Sequence, residues 1–154
     1  MQVLESDWAL VPIVIARPKP LGTTLALLLD HVVNHRKMEG SKGGNPGEWF
    51  FTNNIDVSGV TVSISLRLCM PFKCGIPETW TAALIMYNMR VDGICHHVKA
   101  SNGRGGVSRG WHRHAWDPVK RTSRDLRYEI DFDHGGTEAG FVLSACKVMG
   151  VILD

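Results

Sequence analysis

The sequence predicts an α+β fold, a twisted antiparallel sheet with an N-terminal strand-helix unit and a C-terminal helix. Residues 51–68 alternate apolar and polar side chains as a strand pair does, whereas residues 23–37 and 137–149 place apolar side chains at the helical period. With 154 residues, of which 44% are hydrophobic, the chain can bury one core, so residues 1–154 are predicted to form a single domain.

The N-terminal unit is predicted to begin with a strand and continue into a helix. ALVPIVIA, residues 9–16, is a short β-branched run followed by Pro18 and Pro20, which is typical of a strand that cannot continue. Residues 23–37 begin with threonines suited to capping a helix and end with cations suited to a helix C-terminus.

Two hairpin turns are predicted within the sheet. The Ser58-Gly59 turn pairs Val57 with Val60, which places the apolar rows of both strands on one face. The Asp-Gly pair at 92–93 is a second turn signal, because a type I′ turn needs positive φ at both central residues.

The histidines fall into two sets in these predicted strands. Pairing across the Asp-Gly turn places His96 on the apolar face and His97 on the polar face. After a Gly-rich loop, residues 100–110, the sequence WHRHAW is predicted to be extended, so that His112, His114 and Trp116 share one face. Trp111, Arg113 and Ala115 then share the other face.

Charge is unevenly distributed, although the formal net charge is only +2. Residues 99–127 contain eight Lys or Arg residues and only two acids, with two tryptophans between them. Guanidinium groups suit phosphates and indole rings suit bases, so the segment predicts contact with RNA or another anionic ligand. The predicted nucleic-acid-binding residues are Arg104, Arg109, Arg113, Trp111, Trp116, Lys120 and Arg121.

His112, His114 and His97 are the predicted catalytic residues of a metal-independent ribonuclease. One of His112 and His114 would accept the 2′-hydroxyl proton, the other or His97 would protonate the leaving oxygen, and arginines would stabilise the phosphorane charge. Zinc would need a third ligand from His97, Asp117 or Asp125, none at a diagnostic spacing. No metal or other cofactor is expected, and a zinc enzyme stays open as an alternative.

Three other interpretations remain open from the residues alone. The basic segment is equally typical of a non-catalytic nucleic-acid-binding module, which would depend on arginines and not on histidines. It also suits a protein interface anchored by Trp111 and Trp116, as in a phage or accessory protein. Finally, His112 and His114 can belong to a solvated sheet face without any chemical role.

Cysteine usage and hydropathy predict a soluble, cytoplasmic protein. The four cysteines, Cys69, Cys74, Cys95 and Cys146, lack the spacing of a zinc or redox motif and are expected to be reduced. The N-terminus lacks the pattern of a signal peptide, and the apolar runs are shorter than a membrane helix requires. No membrane partner is therefore expected.

The run from IMYNMRVDGICHHV to GWHRHAWDP, within residues 85–118, resembles the small TumE-type toxins of bacterial toxin-antitoxin systems. The resemblance implies a compact, sheet-based toxin that acts on RNA or translation and is held inactive by a DNA-binding antitoxin. It gives functional weight to Arg104, Arg109, His112 and His114. The chain differs from that pattern in its length, its N-terminal unit and its flanking tryptophans.

Overall fold

A computed structural model describes residues 3–32, 48–70, 80–101 and 107–154, but not the side chains of residues 48, 97–101 and 107–109. The elements in chain order are α1 (Glu5–Ala16), β1 (Lys19–Pro20), α2 (25–32 in the described part), β2 (Glu48–Val57), β3 (Val60–Cys69), β4 (Thr81–Met86), β5 (Met89–Ser101), β6 (Val107–Asp117), β7 (Thr122–Glu129), α3 (Glu138–Met149) and β8 (Val151–Ile152). The predicted α+β class is confirmed, with an antiparallel sheet and a C-terminal helix, whereas the chain begins with a helix where a strand was predicted.

Strands β2 to β7 form one antiparallel sheet in which every strand lies beside its neighbours in the sequence. The first predicted hairpin is confirmed, because Val57 pairs with Val60 and Ile55 with Val62. Outside this sheet, β1 and β8 form a separate parallel pair that joins Lys19 to Val151.

The core lies on one side of the sheet, against the helices. Leu66 and Leu84 are fully buried there together with Phe141 of α3 and Val14 of α1. Because side chains alternate along a strand, Arg67 projects to the opposite side, which we call the arginine face.

The structure replaces the predicted strand at residues 9–16 with the last eight of the twelve residues of α1. The β-branched residues favoured a strand, but Val11 and Val14, three positions apart, are both fully buried against the core. At the helix N-terminus, the Asp7 carboxylate accepts a hydrogen bond of 2.9 Å from the Leu4 backbone N–H. Tertiary packing and this capping bond therefore outweigh the local strand propensity.

The predicted Asp92-Gly93 turn is also wrong, because both residues lie inside β5 and face Leu84 and Ala83 of β4. The hairpin instead turns at Tyr87 and Asn88, whose φ angles are 52° and 60°. These angles suit a type I′ turn, which Asn adopts more readily than Tyr.

Candidate functional site

One row of directly paired residues crosses the arginine face from β3 to β7. The row runs from Arg67 to Ala83, Gly93, His114 and Arg127. Directly opposite residues in antiparallel strands project to the same side, so the two arginines share a face with His114. The small residues in the middle leave a depression between the larger side chains at the two ends.

Arg90 lies across this depression. A Cβ atom added to Gly93 would lie 3.1 Å from Cδ of Arg90 and 3.2 Å from the Ala82 carbonyl oxygen. The glycine therefore makes room for the arginine side chain, which explains why an Asp-Gly sequence stands in a strand. Nε of Arg90 donates a 3.0 Å hydrogen bond to Oγ of Ser123, which in turn donates to the Arg90 carbonyl at 2.7 Å. These bonds hold the guanidinium in place.

The depression is a cleft of about 280 Å³, which we call the arginine cleft. Its lining includes all three arginines, Arg67, Arg90 and Arg127, together with His114 and Cys95. No Asp or Glu belongs to its lining within the described residues. The cleft thus brings three guanidinium groups together in a lining that contains no described carboxylate.

The arginine cations are close enough to influence one another. Burial lowers the pKa of Arg90, and the charges of Arg67, Arg127 and Arg124 lower it further, against the opposing effect of Cys95. Arginine remains protonated at physiological pH even so. The electrostatic cost of this crowding would be relieved by a bound anion.

Two histidines and a cysteine lie beside the arginines. Nε2 of His114 and Sγ of Cys95 are 2.8 Å apart and share a hydrogen bond. His112 pairs directly with Cys95 across the strands. Both imidazoles are buried, with 0% of His112 and 3% of His114 exposed. Burial raises the pKa of the Cys95 thiol, although Arg90 and Arg127 act in the opposite direction, so the thiol form is favoured at neutral pH.

The structure brings together only part of the predicted catalytic set. His112 and His114 share a face as predicted, whereas the His97 side chain lies outside the described residues. Arg104 and the side chain of Arg109 also lie outside the description.

Arg113 and the two tryptophans make packing and ion-pair contacts on the helix side of the sheet. Arg113 binds Asp92 through two hydrogen bonds of 2.8 and 3.0 Å. The Trp111 ring packs 4.7 Å from that of Phe132, centroid to centroid.

The predicted face of Trp116 is wrong, because the pairing shifts between Ala115 and Asp117. Trp116 leaves the side of His112 and stacks on Trp8 of α1, with the rings 5.9 Å apart. An irregularity of this kind reverses the direction of the following side chain and has no sequence signature here.

The two remaining predicted cations lie near the turn between β6 and β7 and bind acids. Lys120 forms an exposed ion pair of 3.3 Å with Asp125. Arg121 pairs with Glu5 of α1 and lies 5.3 Å above the Trp8 ring, measured from Cζ to the centroid. Both contacts link the turn to neighbouring residues. An external anion would have to compete with Asp125 and Glu5 for these two cations.

Metal-binding geometry and disulfides are absent from the part of the chain that is described. No three His, Cys, Asp or Glu side chains there are arranged to hold a metal ion. The three described cysteines, Cys69, Cys95 and Cys146, form no disulfide with one another. None of the described helices is both long and apolar enough to cross a membrane.

No family model, curated protein or solved structure matches the chain. The resemblance to TumE-type toxins is therefore not tested by these comparisons and stays a prediction.

Sequence reasoning missed Arg67, Arg90 and Arg127 as a site. Arg67 carried a usable signal, because it is the one charged residue in the alternating run of residues 60–69. No sequence signal indicated Arg90, because its neighbours in the cleft depend on where the hairpin turns.

Proposed function

We propose that the protein binds nucleic acid through phosphate contacts in the arginine cleft, with RNA as the main candidate. The observation that supports this proposal is that Arg67, Arg90 and Arg127 line one cleft to which no described residue contributes a carboxylate. A guanidinium can donate two parallel hydrogen bonds to a phosphate and keeps its charge at all physiological pH values. A phosphate-rich chain is the anion that would occupy several such groups at once.

Binding of this kind releases counterions from the nucleic acid, so affinity should fall with salt. The slope of log K against log salt changes by about 0.7 to 0.9 for each phosphate contact. Replacement of Arg67 by Gln removes one phosphate contact. It leaves no described carboxylate without a partner, since the described residues offer the Arg67 side chain no ion pair.

The test is fluorescence anisotropy with labelled single-stranded RNA, measured at several salt concentrations. We expect Arg67→Gln to weaken binding and to reduce the salt slope by nearly one unit. Lys147→Gln is the matched control, because Lys147 is an exposed cation on α3, away from the arginine face. Equal affinity of the wild type and an Arg67→Gln/Arg127→Gln double variant would overturn the proposal.

RNA cleavage is a second candidate, favoured by the position of His114 in the lining of the same cleft. His114 would take the 2′-hydroxyl proton as the 2′-oxygen attacks phosphorus, the leaving 5′-oxygen would take a proton from water, and the three arginines would stabilise the charge that develops on the phosphate. His114→Ala should then abolish cleavage while RNA binding persists. Failure of the wild type to cut RNA in the presence of EDTA would reject cleavage but leave the binding proposal intact.

The partner and the compartment follow from the same proposal. An RNA-directed toxin would act in the cytoplasm, where reduced thiols persist, and an antitoxin would be its protein partner. Expression of the wild type should then arrest growth, and the Arg67→Gln/Arg127→Gln variant should relieve the arrest. The matched Lys147→Gln variant should remain toxic.

A further inference from the structure

A second cleft lies on the helix side of the sheet, between α1 and strands β5 to β7. We call it the helix-side cleft. Its volume is about 450 Å³, which falls within the range of about 300–1,000 Å³ typical of small-molecule sites. Its walls are apolar and aromatic, with Pro12 and Ile15 of α1 on one side and Trp116 and Tyr128 on the other.

The polar part of this cleft is the ion pair of Asp92 and Arg113. Nε and Nη2 of Arg113 donate to the two carboxylate oxygens of Asp92, whose side chain is only 2% exposed. Nη1 donates to no described residue, and 33% of the Arg113 side chain remains exposed. The buried carboxylate therefore fixes a guanidinium whose remaining donors are available to a ligand.

The charges behind the cleft favour an anion. Lys19 is fully buried, and its Nζ donates to the carbonyls of Val14, Ile15 and Arg17 at 2.7–3.1 Å. Burial lowers the pKa of Lys19 to about 8, and nearby Asp92 opposes that shift, so the amine is mostly protonated at neutral pH. Two cations, Lys19 and Arg113, thus face a single carboxylate.

We propose that the helix-side cleft binds a small organic acid. The carboxylate would accept hydrogen bonds from Arg113, and the apolar body would lie against Trp116, Ile15 and Tyr128. The net positive charge at the polar end and the apolar walls together select a ligand that is anionic at one end only. This proposal does not depend on the arginine cleft, which lies on the other side of the sheet.

The test is calorimetric titration of the full chain with 3-phenylpropanoate and with its neutral amide, 3-phenylpropanamide. We expect the acid to bind at least about tenfold more tightly than the amide, since a charge-assisted hydrogen bond contributes more than a neutral one. Equal affinities, or no heat from the acid at millimolar concentrations, would overturn the proposal.

Two variants distinguish the contribution of the cleft's shape to binding from that of its charges. Ala115→Leu adds bulk to the cleft lining without removing a charge and should weaken both ligands. Asp92→Asn/Arg113→Gln removes the guanidinium donors without leaving Asp92 unpaired and should lower the acid-to-amide ratio at least about threefold, while the charge of Lys19 accounts for the preference that remains. Thermal unfolding identifies a variant that has lost its fold, and a folded Ala115→Leu protein that binds the acid as wild type does would contradict the site.

Discussion

Asp92 and Arg113 join neighbouring strands through an ion pair whose carboxylate is almost completely buried. Removal of Arg113 leaves the Asp92 carboxylate, which is only 2% exposed, without its ion partner, so Arg113→Ala should lower the free energy of unfolding by about 3–5 kcal/mol. Urea denaturation measures this change. The exposed pair of Lys120 and Asp125 is the matched control, and Asp125→Ala should change stability by less than about 1 kcal/mol.

The double variant of the same pair tests whether the effect comes from an unpaired charge. Asp92→Asn/Arg113→Gln should lose clearly less stability than the sum of Asp92→Ala and Arg113→Ala, because neither charge is left alone. Strict additivity of the single losses would show that the two side chains do not act as a pair.

The lowered pKa of the buried Lys19 amine should make the stability of the protein depend on pH. Below pH 8 the amine is protonated in both the folded and the unfolded chain, and the cost of burying the charge is fully present. Between its folded pKa of about 8 and its ordinary value of 10.5, only the unfolded chain keeps the proton, so the free energy of unfolding rises with pH. We expect a rise of about 1–3 kcal/mol, which Lys19→Met should lack.

The measurement is the difference in stability between wild type and Lys19→Met from pH 7 to pH 10.5. Tyrosines and cysteines titrate in the same range, but they are common to both proteins and cancel in the difference. A difference that stays constant across this range would contradict a depressed Lys19 pKa.

Gly140 predicts a steric limit in the first turn of α3. A Cβ atom at this position would overlap the His134 carbonyl oxygen and would lie 2.9 Å from Oγ1 of Thr137. Gly140→Ala should therefore destabilise the protein by about 1–3 kcal/mol, even though alanine favours helices. Thermal unfolding measures this change. Lys147→Ala, an exposed substitution in the same helix, is the control and should have little effect.

The hairpin between β4 and β5 predicts opposite effects at two positions. Asn88→Gly should stabilise the chain by about 0.5–1 kcal/mol, because φ at Asn88 is 60° and glycine adopts such angles without strain. Gly93→Ala should destabilise it, because the added methyl group would press on Arg90 and on the backbone of β4. A loss of stability in Asn88→Gly, measured by equilibrium denaturation, would contradict a turn at Tyr87 and Asn88, because glycine weakens the interior of a strand.

Local signals were sufficient for several elements of the fold. Thr137 caps α3 by accepting a hydrogen bond from the Gly140 backbone N–H, and Gly150 ends that helix with φ of 69°. Thr24 likewise accepts from the Leu27 backbone N–H at the start of α2. In each case the sequence signal and the structural cause lie within one turn of each other, so sequence reasoning could find them.

The arginine cleft could not be predicted in the same way. Arg67 and Arg127 become members of one row only through the pairing of five strands, and a single misplaced turn changes that row. The Asp-Gly pair indicated a turn because its local preference is strong, whereas Asp92 and Gly93 are explained by distant partners, Arg113 and Arg90. Contacts of this kind carry no local sequence signal.

The parallel pairing of β1 with β8 has a consequence for the order of events in folding. The hairpins from β2 to β7 connect segments that are close in sequence, and their loops close at low entropic cost. Lys19 and Val151 come from nearly opposite ends of the described chain, so we expect their strands to associate last. Loss of this late contact should accelerate unfolding and leave the folding rate almost unchanged.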